Sequence, residues 1–142
     1  MNTLYTTAGE ALTGTPWQVY PRPQMRRESY VNLNGAWEFG VGSHTFPKNY
    51  DKSIRVPFCP ESLLSGIHEH FPEGCALAYR RKFTLPGNFR KGRVLLHIGA
   101  ADQHLYCFVN DKKIGSHTGG YWAITFDITD ALVDGENEIK FR

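Results

Sequence analysis

The chain has 142 residues, which fits a single domain and leaves no room for a second core of ordinary size. Hydrophobic residues make up 41% and charged residues 21%, punctuated by 14 Gly and 8 Pro, so the composition is globular and loop-rich rather than disordered or fibrous. Sixteen Lys and Arg against 14 Asp and Glu give a net charge of +2, scattered without a basic stripe, which argues against nucleic acid as a partner.

Three cysteines, Cys59, Cys75 and Cys107, form no Cys-x-x-Cys pair and point to reduced, partly buried thiols rather than a disulfide framework or a thiolate zinc site. The N-terminus has no basic region followed by an apolar run, and no stretch approaches the roughly 20 apolar residues of a membrane span. A soluble, cytoplasmic protein with no membrane partner is expected.

In chain order, residues 1–26 carry Gly14, Pro16, Pro21 and Pro23 with little periodicity, the pattern of an extended arm, with Trp17 and Tyr20 as its anchors. From Leu33 onward Leu33, Trp37 and Phe39 share a parity around Asn34-Gly35, so a strand is predicted to start there. Val56 ends a strand at a proline-punctuated loop, Pro57 to Ser62. Leu77, Tyr79, Arg81, Phe83 and Leu85 share one face of a further strand, and Val94, Leu96 and Ile98 one face of the next. Leu105, Cys107 and Val109 run into Asn110-Asp111, residue types that accept positive φ, and Lys113 to Ser116 return as the second arm of a hairpin. Tyr121 to Ile128 and Glu138 to Arg142 complete the strands. One helical turn is expected over Thr129 to Asp134, with Thr129 as N-cap and Gly135 as the stop. Strands follow one another without intervening long amphipathic helices, which excludes parallel βαβ winding and indicates an all-β antiparallel sandwich. Trp37, Phe83, Leu96, Val109 and Phe126 are its expected core.

The segments Arg27 to Phe39, Ile54 to Ile67, Tyr79 to Leu85, Arg93 to Asn110 and Ile114 to Glu138, in this order, resemble the N-terminal sugar-binding-type domain of glycoside hydrolase family 2, the family of β-galactosidases, β-glucuronidases and β-mannosidases. The resemblance covers residues 27–142 and implies a jelly-roll β-sandwich related to galactose-binding domains, truncated at its C-terminal end. It also implies that the chemistry of the parent β-glycosidase lies in a later barrel carrying two glutamates, which this length does not hold. The chain alone is therefore expected to be a non-catalytic domain with no catalytic residue, no cofactor and no metal, packing against the other domains of a parent hydrolase. Two other readings stand beside it, an autonomous carbohydrate-binding module and a purely structural assembly domain.

Several motifs carry candidate chemistry. Asn137-Glu138 imitates the family's catalytic Asn-Glu pair, but it lies at a turn before a strand, without a second carboxylate about 5 Å away. His117, Tyr121 and Trp122 surround Gly119-Gly120 and offer hydrogen bonding with aromatic faces, as a sugar requires; the same segment also serves simply to join two strands. Glu61 and Ser62 lie in a loop whose counterparts in the family face the barrel, and they suit equally well a capped turn starting a short helix. His68-Glu69-His70 has metal-like spacing, yet flanking Gly66 and Pro72 favour a surface loop. Finally, a sandwich without its last strands would leave Glu138 to Arg142 as an edge prone to self-association.

Overall fold

The computed structural model describes residues 4–20, 22–25 and 27–142. Its elements are β1 (Gly35–Gly42), β2 (Lys52–Val56), β3 (Ala76–Thr84), β4 (Leu95–Ile98), β5 (His104–Val109), β6 (Lys112–Thr118), β7 (Ile124–Asp127) and β8 (Glu136–Phe141), with a short helix α1 at Thr7–Glu10. Six strands pair in the order β2-β1-β3-β8-β5-β6, and β4 pairs with β7 in a second sheet; every pairing is antiparallel. The all-β antiparallel sandwich is thus observed. The two sheets are unequal, six strands against two.

Alternation decides which face is inside. Trp37 stands opposite Ile54, Phe39 opposite Tyr79, Arg81 opposite Ile139, and Val109 opposite Ile139 on the far side. These inward residues, with Val94, Leu96, Cys107, Ile128 and Leu132, form the core. Burial of so many branched side chains on one face fixes the register, because a slip of one residue would turn the whole set to solvent. Among the expected core residues Trp37, Leu96 and Val109 are buried, whereas Phe83 and Phe126 are only partly so and pack at its margin. Arg81 shares the inward parity as read from the sequence. Its guanidinium donates to the carbonyls of Leu33 (2.7 Å) and Asn34 (3.1 Å), which satisfies a charge that the parity would otherwise strand.

The hairpin β5–β6 turns through two residues, Asn110 (φ 49°) and Asp111 (φ 63°), the left-handed pair that suits the twist of the strands. A polar hub locks this turn to the rest of the fold. The Asn110 amide donates to the carbonyl of Ala131 (2.8 Å) and to Oδ1 of Asn137 (2.8 Å), and its own oxygen accepts from the Glu138 N–H (2.9 Å). Asn137, almost fully buried, donates to Val133 and Gly135 and accepts from the Val133 N–H. Asn137 is therefore a structural residue. Glu138 beside it lies within 3.9 Å of Arg80 and 3.4 Å of Lys140, in a ladder of charges on the outer face.

Segment 43–51 crosses that outer face as a strap. A side chain at Gly40 would meet Pro47 at 2.8 Å, and one at Gly42 would meet the Thr45 carbonyl at 2.7 Å, so these glycines admit the strap. Phe46 packs edge-on against Phe108, and Tyr50 lies beneath Arg80, 4.3 Å from its guanidinium carbon.

Four expectations need correction. The strand predicted over Tyr121 to Ile128 begins only at Ile124, because Gly119 (φ 125°) turns the chain and Gly120 sits against Asp102. Thr129 is not an N-cap: it begins a single 3-10 turn, Thr129–Ala131, and its hydroxyl instead accepts from the Val94 N–H (2.8 Å) while Asp127 accepts from the Thr129 N–H (3.0 Å). Strand β8 is not an edge. It is hydrogen-bonded to β3 on one side and β5 on the other, so its backbone offers nothing to a second copy, and the edges of this sheet are β2 and β6. Finally, Cys59 and Cys75 are exposed rather than partly buried, while Cys107 is fully enclosed. In the N-terminal segment, Tyr20 stacks edge-on against Tyr30 at 4.6 Å and Trp17 approaches Phe58 at 5.7 Å, so both aromatics have partners; the expected Pro21 lies outside the described residues.

Candidate functional site

Because two strands cannot cover six, the inner face of the large sheet opens into a cleft of about 2280 Å³. Its floor includes Trp37, Leu77, Tyr79, Phe83 and Phe141, its wall is β4, and its rim includes the loop Pro57 to Glu61 and residues 17–20 of the N-terminal segment. Trp37 and Phe141 stack at 5.2 Å on the floor. Tyr79 is the titratable group on that floor with a strong perturbation. Burial, reinforced by the Glu61 carboxylate and Cys59, pushes its phenol up to about 12, so it stays protonated.

The five candidate residues separate into two places. Glu61 is exposed and lines the cleft near Tyr79. Ser62 stands at the start of the 3-10 turn Leu63–Ser65, but makes no side-chain cap; its hydroxyl donates to the Cys59 carbonyl at 2.8 Å. The bond that organises this loop is made by buried Ser65, whose hydroxyl donates to the Ser62 carbonyl (2.7 Å) and accepts from the Ile67 N–H (3.0 Å).

The second place is the loop between β6 and β7. Tyr121 is 99% and Trp122 71% exposed, so both rings stand in solvent. His117 belongs to β6, opposite Leu105; its Nε2 is buried, without a hydrogen-bond partner among the described residues, beside Gly119. Neither Ser62, His117, Tyr121 nor Trp122 lines the cleft. Sequence reasoning passed over Tyr79, whose inward parity marked it only as core, and Asp102, whose carboxylate flanks Gly120. A tyrosine on an apolar parity carries no signal that it lines a cleft.

His68 and His70 are exposed in a loop, and Glu69 between them is held by Lys52 at 2.5 Å. Among the described residues no group of three or more His, Cys, Asp or Glu is placed to hold a metal ion, and no helix is long and apolar enough to cross a membrane.

Comparison with known proteins gives this architecture a context. No family model matches the chain. A β-glucuronidase of Paenibacillus borealis is 36% identical over 133 residues, which take in 85% of this chain and 22% of the relative. Among solved structures, a β-D-mannosidase from Dictyoglomus thermophilum superposes with a TM-score of 0.65 at 28% identity over 79% of this chain and 15% of the enzyme. The resemblance to the N-terminal domain of family 2 glycoside hydrolases holds. A Bifidobacterium dentium β-glucuronidase, solved with coumarin-3-O-glucuronide, agrees at TM-score 0.61 and 26% identity over 77% of this chain and 19% of its own. The chain thus spans about a fifth of the glycosidases it matches, and their sandwich fold is the fold described above.

Proposed function

We propose that the chain is the non-catalytic N-terminal domain of a cytoplasmic family 2 β-glycosidase, with residues 1–26 as an arm and residues 27–142 as the sandwich. The observation that carries this reading is the 36% identity across 85% of the chain to a β-glucuronidase four to five times its matched length. In the parent enzyme the sandwich packs against the catalytic barrel, and Glu61 and Ser62, at the loop beside the cleft, border the active-site entrance. The internal chemistry agrees with a passive role. Glu138, the one glutamate in a catalytic-looking Asn-Glu context, is engaged by Arg80 and Lys140, and its neighbour Asn137 is consumed by backbone bonds. A retaining mechanism needs two carboxyl groups about 5 Å apart on either side of the glycosidic bond.

The test is turnover of chromogenic β-glucuronide, β-galactoside and β-mannoside by this chain and by the product of its complete reading frame. The chain is expected to be inert and the longer product active on one of them. Turnover by the purified chain that disappears in Glu138→Gln would overturn the reading.

The exposure of Tyr121 and Trp122 favours one second reading, a carbohydrate-binding module in which the two rings meet the apolar face of a sugar and His117 lies behind them. A millimolar titration of simple glycosides that quenches tryptophan fluorescence, and does not in Trp122→Ala, supports the module; no quenching removes it.

A further inference from the structure

The outer face of the six-stranded sheet carries its charges in two different arrangements. Along β3 and β8 each outward cation is matched, Arg80 by Glu38 and Glu138, Lys82 by Glu136, and Lys140 by Asp111 and Glu138. Toward β5 and β6 the matching stops. The outward side chains there are His104, Tyr106 and Phe108 of β5, with Thr118, Ser116 and Lys113 opposite them on β6, and none is an Asp or Glu. Arg142 follows β8 and joins the same row. Its N–H donates to the Tyr106 carbonyl (3.0 Å), and the Tyr106 N–H donates to the Arg142 carbonyl (2.7 Å).

Lys113 and Arg142 converge on one ring. The Lys113 ammonium lies 5.3 Å and the Arg142 guanidinium carbon 4.6 Å from the centre of the Tyr106 ring, and neither cation has an ion-pair partner among the described residues. Such distances to one point leave the two charges no further apart than the screening length of about 10 Å in 0.1 M salt, so they repel each other. Local backbone shape supports the convergence. Lys113 stands opposite Phe108, and the register shift beside it, which leaves Ile114 as an extra residue, is a bulge of the kind that re-aims a neighbouring side chain, here toward Tyr106. Lys113, Ser116, Thr118 and His104 are exposed, and Tyr106 and Arg142 are half-buried and belong also to the lining of the cleft.

We propose that this patch binds an acidic saccharide, whose carboxylate lies between Lys113 and Arg142 while its hydroxyls meet Ser116 and Thr118. A carboxylate placed there relieves the repulsion between the two cations and accepts charge-assisted hydrogen bonds from both, the guanidinium offering the planar fork that suits it. The hydroxyls decide the class of ligand. Ser116 stands opposite Tyr106 and Thr118 opposite His104, so the charged end continues along β6 into a row of small exposed hydroxyls. A bare inorganic ion uses the two charges and leaves that row idle, whereas a sugar carrying a carboxylate uses both. The site is made wholly of residues of this chain, and it is separate from Glu61 and Ser62 and from the rings of Tyr121 and Trp122.

Amide chemical shifts of the 142-residue chain, followed during titration with sodium glucuronate, glucose, sodium acetate and sodium phosphate at constant ionic strength, test the proposal. Glucuronate is expected to move the Tyr106, Lys113 and Ser116 amides saturably, and more tightly than acetate or phosphate, while glucose leaves them in place. Lys113→Gln and Arg142→Gln should each raise the glucuronate Kd about tenfold, the loss of one charge-assisted hydrogen bond. Lys82→Gln, which removes a matched cation of the same face, should leave it within about twofold. Saturation by phosphate or acetate at the same concentration as glucuronate assigns the patch to a simple oxyanion and overturns the proposal. Equal shifts with glucose, no saturable shift at all, or a Kd unmoved in both patch variants overturn it too. Glycoside turnover plays no part in the readout, so the proposed function and this site stand or fall separately.

Discussion

Two groups of side chains on the inner face of the six-stranded sheet are built from the same kinds of residue and end in different states. Around β5, β8 and the β4–β7 pair, Cys107, Val109 and Ile139 are wholly enclosed, and packing reaches the tightness that lets Gly115 approach the Phe126 ring. Phe39 and Ile54 on β1 and β2 are equally enclosed, whereas Leu77, Tyr79 and Phe83 on β3 have the same alternation but are only partly buried and line the cleft. Alternation therefore specifies which way a side chain faces and says nothing about whether anything stands opposite it. What differs is the count of strands in the facing layer.

The largest effect should come from truncating the same size of side chain in each group. Ile139→Ala is expected to cost about 2 to 5 kcal/mol in urea unfolding, as for other fully packed aliphatic side chains. Leu77→Ala in the open group should cost well under half as much, because little is packed against it to leave a cavity. Equal losses would break the comparison and show that the cleft floor is packed in solution.

Overpacking gives an intermediate effect. Gly115→Ala places a methyl against the Phe126 ring and is expected to lower stability by about 1 to 3 kcal/mol, read from the thermal midpoint. Wild-type stability for this variant would mean that β7 stands further from β6 than described.

The smallest perturbation uses the three thiols as reporters. Burial pushes the Cys107 thiol up to about 12, so at pH 8 it stays protonated and enclosed, whereas Cys59 and Cys75 are exposed at the cleft. An aromatic disulfide reagent should titrate two thiols quickly in the native chain and the third only after unfolding. Because the folded thiol is held above its ordinary value, that third reaction should follow the unfolding rate rather than pH. Three fast thiols would place the closed group in the same state as the open one.

The legibility of the molecule in its sequence follows the same division. The strands β3 to β6, the two-residue turn at Asn110-Asp111, the inward Arg81 and the order of family-like segments could all be read, since each is a local pattern of parity or turn chemistry. The unequal sheets could not, because strand pairing joins residues as distant as Phe39 and Tyr79 or Cys107 and Phe141, and no local pattern states which strands are neighbours. The same limit explains the expectation of β8 as an edge. That expectation supposes that the strands neighbouring β8 follow it in the chain, while in space Tyr79 and Cys107, both earlier in the chain, stand on either side of Phe141. For the candidate site, the sequence offers Tyr121 and Trp122 either as rings for a sugar face or as part of a simple strand connection, and Glu61 as a loop residue; the solvent exposure of the two rings is not legible in it. The phenol of Tyr79 was missed because opening of the cleft depends on the strand count overhead.

The amide hub at Asn110 and Asn137 bears on how the chain assembles. It ties the hairpin turn, the 3-10 turn at Ala131 and the start of β8 to one another, and every partner lies between residues 110 and 138. These closures are short, and short closures cost the least chain entropy and form soonest. The β5–β6–β8 unit is thus able to organise from nearby chain, while β1, once paired with β2, must find β3 across a longer separation. On a ribosome this order is inverted in time. The strands that emerge first, β1 to β3, wait beside the exit for β8, the central neighbour that joins them to β5 and β6.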